Sequence, residues 1–300
     1  MEIRTLRYFL AVAREGSITR AANYLHLTQP TLSRQIQDLE DSLGHPLLIR
    51  RSHRVDLTPE GMLLRKRAEE IVAMVDKTEA EFTVMEDTVS GDVYIGGGES
   101  QAIRLIAGVI DGLRAEYPGI RFHLHSGNAQ DVTDRLDKGL LDFGILIQPA
   151  NIDKYDCLDL PAQDVWGVAL PKTHPLAAKP SLEKQDLLGL PLLLSSQAIS
   201  PQPGGNAFLE WFGEDFDKLE VAATYNLFYN ASILVEAGVG CAVTLEGLAN
   251  TSCESALCFR PLQPRLAAGL NVVWKKYQVF SPAAELFLER LRQTAQAAEE

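Results

Sequence analysis

The sequence is poor in cysteine and has no segment suited to export or to a membrane. Four cysteines among 300 residues are too few for a fold stabilised by disulfide bonds, and so low a number is typical of a reducing compartment. No uninterrupted apolar stretch is long enough to span a bilayer, and no cationic start precedes a short apolar run. We therefore expect a cytoplasmic chain that makes no membrane contacts.

The sequence also lacks the excess of positive charge that is common in nucleic-acid-binding proteins, since its formal net charge is −12. Residues 1–58 nevertheless contain eight basic against six acidic side chains, so the remaining residues carry a net charge of −14. The acidity lies outside the N-terminal segment, where a few phosphate contacts, doubled by dimerisation, would support DNA binding. The length predicts two domains.

Residues 17–43 have the apolar spacing of two short helices that meet at a tight turn. Ser17 and Thr28 are suited to cap the two helices, and Glu15-Gly16 to close the helix before them. Pro30 is tolerated in a first helical turn. The two buried stripes are predicted to be Ile18, Ala21, Ala22 and Leu25, then Leu32, Ile36, Leu39 and Leu43.

Polar side chains cluster at the N-terminal end of the second helix once its stripe is buried. In a helix-turn-helix this end enters the major groove, where Gln pairs with adenine and Arg with guanine. The alternative is a helix pair whose polar faces are merely solvated. Our candidates for DNA contact in these helices are Ser17, Thr28, Gln29, Pro30, Thr31, Ser33 and Arg34.

The segment after the second helix predicts a short basic hairpin, a wing, over residues 45–61. It carries Arg50, Arg51, His53 and Arg54. Arginine is favoured at phosphates and in a narrow minor groove. We expect Arg50 and Arg54 to contact the DNA backbone or the minor groove.

With these motifs in place, the sequence resembles the LysR-type transcriptional regulators. Two positions depart from the family pattern: Leu48 replaces its usual Phe and Glu60 its usual Ala. The resemblance rests on L-R-Y-F-L-A-V-A (6–13), G-S-I-T-R-A-A-N-Y-L (16–25), T-Q-P-T-L-S-R-Q-I-Q-D-L-E (28–40), L-G-H-P-L-L (43–48) and L-T-P-E-G (57–61).

Two further helices flank the helix-turn-helix. A first helix is predicted to complete a three-helix core through Leu6, Phe9, Leu10 and Ala13. A long helix begins at Thr58-Pro59-Glu60 and continues to about Val89. Its apolar positions alternate by four and three residues, as in a coiled-coil dimer, and the resemblance implies the same dimer. Packing of this helix on its own domain is the alternative. The seam comprises Leu64, Ala68, Ile71, Val75, Thr78, Phe82, Met85 and Val89, and its charged flanks are Arg65, Lys66, Arg67, Glu69, Glu70, Lys77, Glu79 and Glu81.

The C-terminal part alternates predicted strands and helices, which is typical of a parallel sheet in an α/β domain. The predicted strands are 92–98, 120–127, 141–147, 165–171, 191–196, 220–225, 241–245 and 270–276, and the predicted helices 100–117, 129–139, 206–212, 231–237 and 282–298.

We therefore predict an α+β multidomain protein with a winged helix-turn-helix at 1–58, a linker and dimerisation helix at 59–89 and an effector domain at 90–300. The resemblance implies that the effector domain has two α/β lobes, similar to type 2 periplasmic binding proteins. Lobe I is expected at about 90–161 and 266–300, and lobe II at about 162–265.

Polar residues follow several of the predicted strands, where α/β proteins bind ligands at helix N-termini. This pattern suits a small polar or anionic ligand, although Glu99 argues against an anion if it points inward. An ordinary strand-to-helix turn is the alternative. The resemblance separately places an effector between the lobes, at the positions of Ser100, Ser195 and Ser196. The candidates are Ser100, Gln101, Asn128, Ser195, Ser196 and Asn226.

Other patterns favour ordinary structure over chemistry. His123 and His125 have no third metal ligand at a sensible spacing, and Gly96-Gly97-Gly98 is not a dinucleotide-binding pattern. Ser195-Ser196 lacks a nucleophile elbow. Cys253 and Cys258 suggest a redox switch, but incidental cysteines are the default.

The sequence thus predicts a regulator that binds double-stranded DNA and a small-molecule effector, acts as a homodimer or homotetramer, and uses no catalytic residue, metal or cofactor. RNA polymerase is a candidate further partner. The alternative is a solute-binding protein or enzyme with an accessory helical domain. That alternative predicts a secretion signal or a catalytic constellation, whereas salt-dependent DNA binding by residues 1–90 would favour the regulator.

Overall fold

The computed structural model describes residues 1–51, 54–81, 89–148, 150–200 and 206–298. The chain divides into two compact units, residues 1–83 and 84–300. The first unit is helical with one small hairpin, and the second contains a large mixed sheet with helices.

The N-terminal unit contains the predicted three helices, the wing and the start of the long helix. Their order along the chain is α1 (Ile3–Glu15), α2 (Ile18–Tyr24), α3 (Gln29–Leu43), β1 (Leu48–Arg50), β2 (Val55–Leu57) and α4 (Pro59–Glu81). The two strands pair antiparallel, with Leu48 opposite Leu57. The predicted helix-turn-helix with a wing is therefore confirmed.

The predicted caps of α2 and α3 and the predicted end of α1 are also confirmed, because each depends on a local hydrogen bond or turn. The Ser17 side chain accepts from the Arg20 N–H at 3.4 Å, and Thr28 accepts from the Thr31 N–H at the same distance. Gly16 closes α1 with a φ of 58° and Gly44 closes α3 with a φ of 70°. Both values lie in the left-handed region that favours glycine.

The core of this unit follows the predicted stripes with one exception. Leu43 is 38% exposed, because α3 ends there and Gly44 turns the chain away from the core. The stripe members that are fully covered are Leu6, Phe9, Ala21, Ala22, Leu32, Ile36 and Leu39.

Helix α4 differs from its prediction in length and in what it buries. Val89 is not helical, and the seam positions Phe82 and Met85 lie outside the described residues. Part of the seam is covered within the same unit, since Ala68 is fully buried and α1 contacts α4. Thr78, predicted in the seam, is exposed, whereas Lys77, predicted on a charged flank, is buried.

The C-terminal unit is organised around one mixed sheet. Its helices are α5 (Ile103–Glu116), α6 (Ala129–Asp137), α7 (Lys184–Leu187), α8 (Ala207–Phe212), α9 (Phe228–Glu236) and α10 (Pro282–Ala297). Its strands are β3 (Gly91–Gly97), β4 (Ile120–Ser126), β5 (Phe143–Ile147), β6 (Tyr155–Pro171), β7 (Pro191–Ser195), β8 (Glu220–Tyr225), β9 (Cys241–Leu245), β10 (Leu257–Pro261) and β11 (Ala267–Lys275).

The sheet has two parallel halves joined by two antiparallel strands. Strand β3 is parallel to β4 and β5, and β7 is parallel to β8 and β9. The first part of β6 pairs with β11 and its second part with β9 and β10. We call the half built on β3, β4, β5 and β11 lobe I, and the half built on β7 to β10 lobe II. The predicted two-lobed α/β fold is confirmed, as is the return of the chain to lobe I through β11.

Several predicted boundaries are wrong. Strand β6 begins at Tyr155 and not at 165, because its first part forms hydrogen bonds with β11. This first part is polar and contains Pro161, so its sequence does not have the pattern of a strand. The prediction missed β10 and α7 altogether. Helix α5 begins at Ile103, three residues after Ser100, and α9 begins at Phe228, three residues before Ala231.

Each lobe has its own apolar core. In lobe I, α5 and α10 cover the sheet, and their side chains Ile106 and Phe287 share a core with Phe143 of β5. In lobe II, β6, β7 and α8 pack through residues such as Leu170, Leu194 and Phe212. No helix among the described residues is both long and apolar enough to cross a bilayer.

Candidate DNA-reading surface and ligand cavity

The N-terminal end of α3 presents a polar surface above a buried stripe. Leu32 and Ile36 have no exposed surface, which fixes the rotation of the helix and turns its opposite face outward. Ser33 is half-buried. The exposed candidates at this end are Thr28, Gln29, Pro30, Thr31 and Arg34.

The side chains on this surface differ in whether they form hydrogen bonds within the protein. The Thr28 and Thr31 hydroxyl oxygens lie 2.8 Å apart, and Thr28 also caps the helix. Within the described ranges, no hydrogen bond or ion pair engages the side chains of Gln29 and Arg34. These two side chains are therefore the most available to an external partner.

Ser17 has a structural task at the start of α2. Its hydroxyl accepts from the Arg20 N–H, and the residue is half-buried. The Arg20 guanidinium donates to the Glu15 carbonyl across the same turn. Ser17 therefore positions α2, and any contact of its hydroxyl with DNA stays a prediction.

Glu40 joins α3 to the wing and was missed by the sequence reasoning. Its side chain is buried, and its Oε1 accepts from the N–H groups of Leu47 at 2.7 Å and Leu48 at 3.0 Å. Its Oε2 lies 3.2 Å from Arg50 Nη2. The carboxylate thus holds the first strand of the wing beside the C-terminal half of α3. The only sequence signal is an acidic residue between the stripe positions Leu39 and Leu43.

The arginines of the wing are restrained by acidic neighbours. Arg50 pairs with Glu40 and also donates to Gln37 Oε1 at 3.3 Å. Arg54 lies 2.5 Å from Asp56, which Arg51 approaches at 3.5 Å. Both predicted side chains remain largely solvent-accessible, at 41% for Arg50 and 74% for Arg54.

His53, named with the basic wing, lies outside the described residues. The wing is tied to the helices by a backbone hydrogen bond from Val55 N–H to the Gly16 carbonyl at 2.9 Å. Gly61, in the first turn of α4, passes close to the wing, since an added Cβ would lie 2.1 Å from the Leu47 carbonyl oxygen. Only glycine fits this approach.

A cavity lies between the two lobes. It is formed by the ends of strands from both lobes and by the first residues of α6, α8 and α9. Three predicted residues line it: Asn128, Ser195 and Asn226. Lobe I contributes the first of these and lobe II the other two.

The other three predicted residues do not line this cavity. Ser100 is buried, and its hydroxyl accepts from the Ala102 N–H at 2.9 Å. Gln101 donates to the Gly247 carbonyl at 2.7 Å and so links the two lobes. Ser196 faces a separate depression beside α6. The late start of α5 explains the first two, because the residues before Ile103 form a turn whose side chains are already engaged.

Ser100 also bonds to Asp164, a buried residue of β6 at the point where this strand passes between the lobes. Burial raises the pKa of the Asp164 carboxyl, and the hydrogen bonds from Ser100 and the Gln101 backbone oppose that rise only in part. Its Oδ2 is buried without a hydrogen-bond partner among the described residues.

Several cavity residues were not predicted. The aromatic side chains Trp166, Phe208, Tyr225 and Phe228 form much of its wall. Gln197 lines the cavity, and its Oε1 accepts from the Ala129 N–H at 3.0 Å, which is a second link between the lobes. Glu99 also lines it and accepts from the Phe228 N–H. The sequence left open whether Glu99 points inward, and the structure shows that it does.

The histidine and cysteine patterns have ordinary environments. His123 Nε2 lies 2.7 Å from Asp92 Oδ1, and the ring stacks on Tyr94 with a centroid distance of 4.6 Å. Within the described ranges there is no group of three potential ligands that could hold a metal ion. Cys253 is exposed whereas Cys258 is buried in the lobe II core, and the interpretation of both as incidental cysteines stays a prediction.

Family models match both units of the chain. Residues 3–62 match the bacterial regulatory helix-turn-helix protein, lysR family, and residues 86–296 match the LysR substrate binding domain. The chain belongs to the LysR family. LysR proteins are DNA-binding transcription regulators and not enzymes, and this chain has their helix-turn-helix and substrate-binding domains in the same order.

Relatives with known names support this LysR assignment. The Hca operon transcriptional activator HcaR of Escherichia coli is 30% identical over 295 residues, which cover 96% of each chain. The DNA-binding transcriptional dual regulator OxyR of Escherichia coli is 33% identical over 195 residues, or 65% of this chain and 63% of OxyR.

Solved LysR structures share the fold. Full-length CbnR complexed with its target DNA superposes with a TM-score of 0.76 at 20% identity, covering 98% of this chain and all of CbnR. Full-length BenM has a TM-score of 0.53 at 26% identity, covering all of this chain and 98% of BenM.

Proposed function

We propose that α3 enters the major groove of duplex DNA with Gln29, Thr31, Ser33 and Arg34 toward the bases. The observation that carries this proposal is the exposed, unengaged pair of Gln29 and Arg34 above a fully buried stripe. These residue types match the base edges that the major groove presents, adenine for Gln and guanine for Arg. Thr28 and Pro30 lie at the helix start, where phosphates approach.

The wing adds contacts to the DNA backbone through Arg50 and Arg54. Both guanidinium groups are held by carboxylates and are still accessible, so they can exchange an intramolecular partner for a phosphate oxygen. In this proposal residues 1–58 bind DNA, 59–89 link and dimerise, and 90–300 sense the effector, with lobe boundaries near 161 and 266. Such a protein works in the cytoplasm, where the bacterial chromosome lies.

Helix α4 is the proposed dimerisation element. Ile71 and Val75 are spaced by four residues and only half-buried in the single chain, so part of their apolar surface is left for a partner helix. A two-fold dimer would present two α3 helices to the two halves of a pseudo-palindromic site. Two wings and two recognition helices would then share the electrostatic attraction to phosphates.

The cavity between the lobes is the proposed effector site, with Asn128, Ser195 and Asn226 among its polar contacts. A ligand that prefers one arrangement of the lobes shifts the population of that arrangement. That shift in turn changes the spacing of paired DNA-binding units and hence the affinity for an operator. Ser100 and Gln101 would support the cavity from behind, because their side chains are engaged elsewhere, and Ser196 would act from the separate depression beside α6.

The base-reading role is tested by Arg34→Ala on a duplex selected from a random pool by repeated binding. Loss of a bidentate contact with guanine should weaken specific binding by about 1–3 kcal/mol and relax selection at one base pair. Arg114→Ala, an exposed arginine of the other unit, is the matched control. If Arg34→Ala weakens binding to selected and random duplexes equally, Arg34 contacts phosphate and the base-reading assignment is wrong.

A further inference from the structure

Among the described residues, one charged side chain lines the cavity between the lobes. Glu99 is the only acidic residue among those that line it, and the lining includes no Lys, Arg or His. The only formal charge on the described cavity lining is therefore that of one carboxylate.

The helix N-termini that face the cavity are already occupied by side chains of this chain. Asn128 accepts from the Asp131 N–H at the start of α6, and Asn206 from the Phe208 N–H at the start of α8. The Glu99 carboxylate reaches across from lobe I to the Phe228 N–H at the start of α9. A helix N-terminus ordinarily attracts an anion, but here each one has its own acceptor.

Part of the cavity wall is aromatic. Trp166 and Phe208 lie with their ring centroids 5.1 Å apart, and Tyr225 and Phe228 form a second pair at 5.9 Å. Aromatic faces attract cations and exclude water. The second oxygen of Glu99, Oε1, has no hydrogen-bond partner within the described ranges. A carboxylate oxygen, aromatic faces and neutral amides are together the environment that binds an organic cation.

We propose that the effector is a small organic cation, an ammonium or guanidinium group on an apolar body, with Glu99 as its counter-ion. This inference rests on the proposed effector site and specifies the chemical class of its ligand. The head group binds Glu99 Oε1, and the Ser195 hydroxyl accepts one of its remaining N–H groups. The apolar body lies against the aromatic wall.

The test compares probes that share a skeleton and differ in head group: benzylamine, phenylacetate and benzyl alcohol, and the corresponding cyclohexyl amine, acid and alcohol. Each is added to the full chain, and the melting temperature is followed as a function of concentration. Amines should raise the melting temperature at lower concentrations than their acid and alcohol partners. Glu99→Gln keeps an acceptor for Phe228 but removes the charge, and should weaken amine binding by about tenfold or more. Glu236→Gln, at the exposed C-terminal end of α9, is the control and should change nothing.

Selection of the acids, or no preference for amines in either series, overturns the proposal. A response that survives Ser195→Trp, which fills the cavity, also overturns it by placing the ligand elsewhere. DNA binding by the same preparation without any probe is measured in parallel. Failure to bind DNA refutes the proposed function, whereas DNA binding with a preference for acids refutes only the cationic ligand.

Discussion

Replacing Glu40 with alanine should destabilise the DNA-binding unit more than any change on its exposed face. The substitution leaves the N–H groups of Leu47 and Leu48 without their acceptor in a buried site and frees Arg50 from its partner. Each orphaned buried N–H costs about 1–3 kcal/mol. With allowance for water entering beside Arg50, we expect the free energy of unfolding of this unit to fall by about 2–5 kcal/mol.

Hydrogen exchange read by mass spectrometry is the suitable assay on the full chain. All three tryptophans, Trp166, Trp211 and Trp274, lie in the C-terminal unit, so tryptophan fluorescence does not report on the N-terminal one. Peptides from α3 and β1 should exchange roughly 30- to 4,000-fold faster in Glu40→Ala, since each 1.4 kcal/mol is a factor of ten. Glu40→Gln keeps one acceptor oxygen and should lose only about 1 kcal/mol.

Asp41→Ala is the matched control, because Asp41 is an exposed neighbour whose side chain bonds only to Gln37 among the described residues. It should change exchange by less than about threefold, the effect of a typical surface substitution. If Glu40→Ala exchanges no faster than Asp41→Ala, the buried carboxylate does not hold the wing. The assignment of Glu40 as a positioning residue would then be refuted.

Three further predictions concern other parts of the chain. Gly61→Ala should destabilise the N-terminal unit by about 1–3 kcal/mol, because the added Cβ would collide with the Leu47 carbonyl oxygen. Gly108→Ala should stabilise the C-terminal unit, because Gly108 lies on α5 with open space around the added Cβ. Hydrogen exchange measures both effects. Asp164→Asn should raise the melting temperature at pH 7 relative to the parent. A raised folded-state pKa means that the parent loses stability as pH rises above the unfolded pKa, so the difference between the two proteins should vanish when melted near pH 3. Val75→Glu should shift the chain toward monomer in light scattering and weaken DNA binding, and an unchanged dimer would exclude this face of α4 from the interface.

The local features of the DNA-binding unit were predictable from the sequence because they depend on neighbours three or four residues apart. Ser17 and Thr28 cap the helix that follows each of them, and Gly16 and Gly44 end the helix before them. The stripe of Leu32, Ile36 and Leu39 dictates which face of α3 is buried, and hence that Gln29 and Arg34 are exposed. The one error in the stripe, Leu43, lies at the helix end, where the chain leaves the core.

Long-range contacts were not predictable in this way. Strand β6 is a strand over its first ten residues because β11 pairs with it, although more than a hundred residues separate them in sequence. From the sequence, Glu40 is simply an acidic residue on an amphipathic helix. Its role depends on the wing, whose Leu47 and Leu48 N–H groups donate to its carboxylate. Helix α1 packs on α4 and covers part of its seam, and heptad spacing alone does not predict this contact.

The polar residues that follow the strands of the C-terminal unit could be predicted from the sequence, since strand periodicity and flanking polar residues are features of a short segment. Which of them face a common space depended on the tertiary structure. Ser100 and Glu99 are adjacent in sequence, yet one is buried against Asp164 while the other enters the cavity and meets α9. The side to which a turn residue points depends on where its distant partners lie, and Phe228 is 129 residues away. The sequence therefore determined the class of protein and the exposed polar end of α3, whereas the packing of the two lobes decided the shape and charge of the cavity between them.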